Sequence, residues 1–245
     1  MPAPAFLLPL LGWKAKTPGV GNIADIKSKA SINITAHMFN ALGIQAPAPG
    51  TGGEMGRELE EGVRAHLQAQ LPILDPHRQW LAERKRLVSD FAQYHHLARL
   101  QKLIKDDTTN TLSTEIGRDY LIKPDVVVSI PTLSGDRFLH AAIPCKWTIR
   151  SDRVQNIRHE GVILTRHRRG RQPHIVTVTP EPLATRLASI ARGTGEVDAV
   201  YHVLLDELIA ATAAVGTKVQ KATLDELVGQ DRVRPFDDLA ATLVL

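Results

Sequence analysis

The chain has 245 residues, 43% of them hydrophobic and 23% charged, which suits one well-packed α/β domain or one domain with a small appended lobe. A net charge of +4 and a pI near 9.3 lean mildly toward an anionic partner and say nothing about fold. The single cysteine, Cys145, excludes an internal disulfide, a zinc finger and an iron–sulfur cluster, and it suits a reducing interior.

From the N-terminus, the apolar run Ala5 to Leu11 has no basic residue before it, contains Pro9 and is too short to span a bilayer. It reads as a strand or packing segment, and the protein as cytoplasmic with no membrane role. The Pro/Gly-rich stretch Gln45 to Gly53 is a surface loop after residues 20–44. A helix is predicted over Glu54 to Leu71, with Leu59, Val63 and Leu67 at four-residue spacing and Pro72 as its stop. A second long helix is predicted over residues 76–105, with Trp80, Leu87, Phe91, Leu97, Leu100 and Ile104 inside. Residues 1–118 therefore read as a mostly helical N-terminal part. The texture changes at residue 119. Tyr120 to Ile130 and Arg137 to Ile143 read as two strands joined by the turn Ser134-Gly135-Asp136, forming an antiparallel hairpin. A helix follows from Ser151 to about Gly161, then a strand over His174 to Thr179. Two more helices are predicted, from Glu181-Pro182 to Ala191 and from Val197 to Ala213. Strands set between helices predict an α/β fold, a mixed β-sheet core flanked by helices. Residues 119–215 form its working core within a single domain over 1–245.

Pro124-Asp125 lies in the first strand of the hairpin, Lys146 ends the second, and Glu160 follows on the next helix. Phosphodiester cleavage uses carboxylates to hold Mg²⁺, a cation that takes hard oxygen ligands and keeps several waters. It also uses a positive group near the attacking water and the charged phosphorus centre. The arrangement has the form of the PD…(D/E)xK nuclease motif, with one departure: Pro144 stands where the second acid should be. A Pro-Asp pair alone is a common turn and a lysine at a strand end a common solvated edge, so the surrounding run decides the reading.

That run, Pro144 through Arg150-Ser151-Asp152-Arg153 to Glu160, resembles the CCGG-family type II restriction endonucleases of the NgoMIV type, in which the second acid sits on the helix after the lysine strand. The resemblance covers roughly residues 119–210, including Glu181 to Gly195 and Tyr201-His202, and is weaker upstream, around Gly56 to Glu60. It implies a restriction-endonuclease-like fold, with Asp125 and Glu160 as metal-binding acids and Lys146 as the catalytic lysine. It further implies a metal contact from the backbone carbonyl of Cys145 and an accessory acid at Glu58.

Arg150, Asp152 and Arg153 fall at the start of the helix after the catalytic strand. Arginine can grip guanine O6 and N7 with two hydrogen bonds, and aspartate accepts from cytosine N4. Two arginines and an aspartate suit a half-site with two guanines and a cytosine, as in CCGG, and the resemblance implies that use. Asp25 and residues near Glu54 are suggested by the resemblance alone as readers of the outer base pairs. GCCGGC is the favoured site, with RCCGGY behind it. The run Arg166 to Arg171 could grip phosphates or be a solvated loop. No serine sits in a nucleophile-elbow context.

The reading is a Mg²⁺-dependent, site-specific endonuclease of duplex DNA. It would act as a homodimer matched to a palindrome. The resemblance adds a tetramer, with the Val197 to Ala213 helix as an interface, and a DNA methyltransferase acting on the same site as a cognate partner. Two alternatives are a repair or junction nuclease of the same fold that reads shape, and a non-catalytic DNA-binding protein.

Overall fold

The structure is a computed structural model that describes residues 3–117, 120–193 and 195–245; the side chains of residues 151–153 lie outside the described residues. Its centre is a mixed sheet of six strands whose spatial order equals their chain order. β1 (Leu81–Arg84), β2 (Val126–Pro131) and β3 (Arg137–Ile143) are antiparallel neighbours. β4 (His174–Thr179), β5 (Ala199–His202) and β6 (Val233–Pro235) continue the sheet in parallel. The switch in direction follows from the connections. A short turn joins β2 to β3, whereas helices carry the chain back across the sheet between the later strands.

Among the described residues, four α-helices precede the hairpin: α1 (Lys29–Ala41), α2 (Gly52–Leu74), α3 (His95–Asp106) and the short α4 (Thr111–Ile116). α5 (Ser151–His167) connects β3 to β4, α6 (Ala184–Ala191) connects β4 to β5, and α7 (Leu205–Val215) with α8 (Lys218–Gly229) connects β5 to β6. α9 (Leu239–Val244) closes the chain against α2. Val126, Val127 and Val128 are fully buried, as are Ala141, Ala142 and Ile143 beside them. The hairpin is therefore covered on both faces, which explains its unbroken apolar runs.

Several sequence expectations are corrected. The long helix over 76–105 does not exist: that stretch forms β1, two 3-10 turns and α3. Lys85 takes φ 54°, which ends any helix there, and the open edge of β2 recruits Leu81–Arg84 as a partner strand. Pro72 lies inside α2 rather than stopping it; it sits in the last turn, where the missing N–H removes a single bond while Leu71 stays buried. The Val197 to Ala213 segment divides into β5 and α7, α6 begins at Ala184, and β2 begins at Val126 rather than Tyr120. The N-terminal apolar run is a packing segment, with Leu7 and Leu11 buried around a 3-10 turn.

Two glutamines complete the sheet where strands are missing. Gln68 on α2 accepts from Ala82 N–H at 2.9 Å and donates to the Trp80 carbonyl at 3.4 Å, pairing the outer edge of β1. Gln93 accepts from Leu139 N–H at 2.9 Å and donates to the Leu139 carbonyl at 2.8 Å, where β4 is too short to pair with β3. Buried backbone groups left without partners are costly. Gln93→Leu should therefore destabilise the protein by about 2–4 kcal/mol, measured by denaturant unfolding; a change inside about 0.5 kcal/mol, the level of an ordinary surface substitution, would mean that water replaces the amide.

Candidate active site

The hairpin brings Asp125 and Lys146 together. Asp125 immediately precedes β2, and Lys146 lies on a short extension of β3 that pairs with β4. Lys146 N–H donates to the Val178 carbonyl at 2.9 Å, and Val178 N–H donates to the Pro144 carbonyl at 3.0 Å. The residue that breaks the expected acid position thus serves the sheet through its backbone. Asp125 Oδ2 accepts from Cys145 N–H at 2.9 Å and from Lys146 Nζ at 2.6 Å. Burial by itself would push Lys146 toward the neutral amine. The charge and hydrogen bond of Asp125, with Glu160 beyond, outweigh burial and raise its pKa, so the ammonium is firmly protonated. The Lys146 carbonyl accepts from the Thr179 hydroxyl at 2.6 Å, which fixes the backbone beneath the amine.

Glu160 enters from α5. The next residue is Gly161, and a Cβ there would lie 2.5 Å from the Glu196 carbonyl oxygen, so only glycine lets the helix pack this closely. Burial pushes the Glu160 carboxyl up to about 7; Asp125 reinforces the shift and Lys146 opposes it. Its Oε2 is buried without a hydrogen-bond partner. An orphaned carboxylate oxygen facing an acid and a lysine is unfavourable unless a further group completes it. Among the described residues, no three His, Cys, Asp or Glu side chains gather as a complete metal shell. Two carboxylates with room for water nevertheless fit a hard divalent cation, which binds through one or two acids and retains its waters. The Cys145 thiol is buried and its pKa is raised well above the ordinary value by that burial, so only its carbonyl suits such an ion.

Two acids of α2 stand near the place the resemblance gives to an accessory acid. Glu58 is exposed on α2, whereas Glu60 is buried and paired with Arg84 on β1. Glu60 and Arg84 are both close enough to act electrostatically on Cys145. The helical period already held this signal. At about 100° per residue, Glu60 falls beside the Leu59, Val63 and Leu67 stripe and Glu58 away from it.

Of the proposed DNA-reading residues, Arg150 is exposed at the N-terminus of α5, and the side chains of Asp152 and Arg153 lie outside the described residues. Asp25, far away in sequence, reaches the same surface. Asp25 Oδ1 accepts from Lys27 N–H at 2.9 Å, and the carboxylate pairs with Arg186 on α6. These contacts, the backbone bond first, hold its carboxyl below the usual range. Asp25, Arg150 and Arg186 line a cavity of about 710 Å³ with Gln155 and Ser189, and also a second of about 620 Å³ with Lys14 and Trp147. Sequence reasoning did not place Arg186 beside Asp25, since an arginine on an amphipathic helix carries no signal of its own. The Glu54 carboxylate is engaged in a capping box with Thr51, accepting its N–H at 2.7 Å. No helix is long and apolar enough to cross a membrane among the described residues.

The sequence profile of the NgoMIV restriction enzyme family matches residues 13–138 and 131–245. The chain is 37% identical to the Type II restriction enzyme NgoMIV of Neisseria gonorrhoeae, over 93% of this chain and 91% of that protein. Among solved structures, the Type IIF restriction endonuclease Bse634I with cognate DNA is similar over 84% of this chain and 80% of that chain, at 13% identity and a TM-score of 0.39. A PspGI–substrate DNA complex is similar over 90% of this chain and 96% of that chain, at 14% identity and a TM-score of 0.37. The chain belongs to the NgoMIV restriction enzyme family and is a type II restriction endonuclease.

Proposed function

We propose that the chain cuts both strands of duplex DNA at GCCGGC, in the cytoplasm, as a Mg²⁺-dependent homodimer in which each subunit, a single endonuclease domain, reads one half-site. The observation that supports the reading is that Arg150 lies on the short segment that follows Lys146, so a base-reading arginine and the Asp125–Lys146 pair would be joined through a few residues of chain. Arg150, Asp152 and Arg153 suit the CCGG core. Asp25 and Arg186 together offer a carboxylate and a guanidinium, the pair that matches cytosine N4 and guanine O6/N7 of one further G·C pair. That complement favours GCCGGC over the looser RCCGGY.

Asp125, Glu160 and the Cys145 carbonyl would hold the cation, which would supply Lewis-acid stabilisation of the charge developing on phosphate and a more acidic water. Lys146, held protonated, cannot take a proton; its ammonium orients the attacking water and stabilises the phosphorane-like charge. Asp125 fixes the ammonium through its 2.6 Å contact. Glu60, positioned by Arg84, takes the accessory role first assigned to Glu58. Glu60→Gln should slow cleavage about tenfold or more while Glu58→Gln stays near wild type, read as single-turnover rates; equal effects would remove the assignment. A tetramer would use the exposed Ile209 and Val215 of α7, and a methyltransferase of the same specificity would protect host DNA.

The test is digestion of unmethylated DNA of known sequence in Mg²⁺ and in EDTA, with the ends mapped. Discrete Mg²⁺-dependent fragments ending at GCCGGC are expected. Smearing would sink the specificity, and binding without cutting would sink the catalytic role.

A further inference from the structure

Glu181 lies between β4 and α6 with its side chain wholly buried. Burying a carboxylate is costly unless its oxygens are used, so the acid needs a reason that an apolar residue would not meet. Its two oxygens serve different parts of the molecule. Oε2 accepts the Ile149 N–H at 2.8 Å, directly before Arg150. Oε1 accepts the Leu183 N–H at 3.2 Å and lies 3.7 Å from Nη1 of Arg186, the arginine that also pairs with Asp25. The backbone of the same residue reaches the catalytic side. Glu181 N–H donates to the Thr179 hydroxyl at 3.1 Å, and that hydroxyl donates to the Lys146 carbonyl at 2.6 Å. From behind, His202 donates from Nε2 to the Glu181 carbonyl at 3.1 Å, its tautomer set by Nδ1 accepting from Leu204 N–H. Both ends of the 146–149 loop therefore rest on residue 181, one directly and one through a single hydroxyl.

We propose that Glu181 is a positioning residue that couples the DNA-reading cavity to the catalytic lysine's loop. The proposal rests on the reading that Asp25, Arg150 and Arg186 face the bases. When Arg186 turns from Asp25 to a base edge, its share of Oε1 changes, and the rigid carboxylate carries that change to Ile149 N–H and so to the loop bearing Lys146. Specificity then acts on the cleavage rate as well as on binding.

Glu181→Gln keeps size and one accepting oxygen but turns an NH₂ donor toward the Leu183 N–H or the Arg186 guanidinium. The experiment compares wild type and Glu181→Gln on the duplex whose ends define the site and on a duplex with one base pair changed. Single-turnover cleavage in Mg²⁺ and binding in EDTA are both measured. The expected result is a cognate rate lowered about 100-fold, a cognate-to-altered rate ratio lowered at least about tenfold, and unchanged binding to unrelated duplex. A purely structural role would lower both rates alike through a smaller active fraction, and an unchanged ratio would overturn the proposal. Should Glu181→Gln fail to fold, Thr179→Val tests the other arm: the cognate rate should fall more than the altered-site rate, and an unchanged cognate-to-altered ratio would overturn the coupling. Arg150→Ala separates the underlying reading. If site preference survives Arg150→Ala, the DNA-reading cavity is wrong; if preference is lost there but kept in Glu181→Gln, only the coupling is wrong.

Discussion

Asp125→Asn should lose cleavage by about 10³-fold or more while binding its duplex more tightly than wild type in EDTA. The loss follows because the substitution would remove an oxygen proposed to hold the cation, and it removes the carboxylate that fixes Lys146 Nζ at 2.6 Å. The gain in binding follows from charge. Without a cation, Asp125 and Glu160 both face the phosphates, and removing one negative charge leaves Lys146 free to attract them. Lys146→Ala should lose cleavage to a similar degree but bind more weakly in EDTA, since it removes the positive charge between the acids. Gel-shift affinities and single-turnover rates read both quantities. If the two variants shift affinity in the same direction, the electrostatic account of the cluster is wrong.

Glu160→Gln should abolish cleavage and yet stabilise the metal-free protein, increasingly so as pH rises. The wild-type carboxyl titrates near 7 in the folded protein, pushed up by burial, against an ordinary 4.5. The folded state therefore binds the proton more tightly than the unfolded one, and the stability linked to that proton is complete below about 4.5. It is lost as pH climbs to about 7. The glutamine has no proton to lose, so the melting difference between variant and wild type should be small at pH 4.5 and reach a plateau above pH 7.5. Its ceiling is roughly 3 kcal/mol, or about 10 °C for a chain of this size. Glu181, His140 and His202 also have shifted pKa values, but they are present in both proteins and cancel in the difference. Millimolar Mg²⁺ should raise the melting temperature of wild type at pH 8 and leave the variant unmoved. A melting difference constant across pH would show that Glu160 is not strained by burial.

The catalytic hairpin was legible because its signals are local: alternating and continuous apolar runs, one Ser-Gly-Asp turn, and an acid and a lysine at matching ends of paired strands. The strand at residues 81–84 was not legible, since its pairing comes from β2 and from Gln68 rather than from its own sequence, and Trp80, Leu87 and Phe91 mimic a helical spacing. β5 was lost for a related reason. Three apolar strand residues and a buried histidine run almost directly into an apolar helix, with no glycine or proline between Ala199 and Val215. At the site, Asp125 and Lys146 stand on motif spacing, and Glu160 on the family resemblance. The Arg186 partnership with Asp25 spans 161 residues and exists only once the sheet has formed. The burial of Glu60, by contrast, was within reach of the helical period of α2.

The Thr179 hydroxyl beneath Lys146 has a consequence for the order in which the site is completed as the chain is made. A growing chain has no aligned lysine until β4 has left the ribosome, and Asp25, made among the first residues, waits for Arg186 before its charge is matched. A product terminated before residue 179 lacks both Thr179 and Arg186 and should therefore show no cleavage.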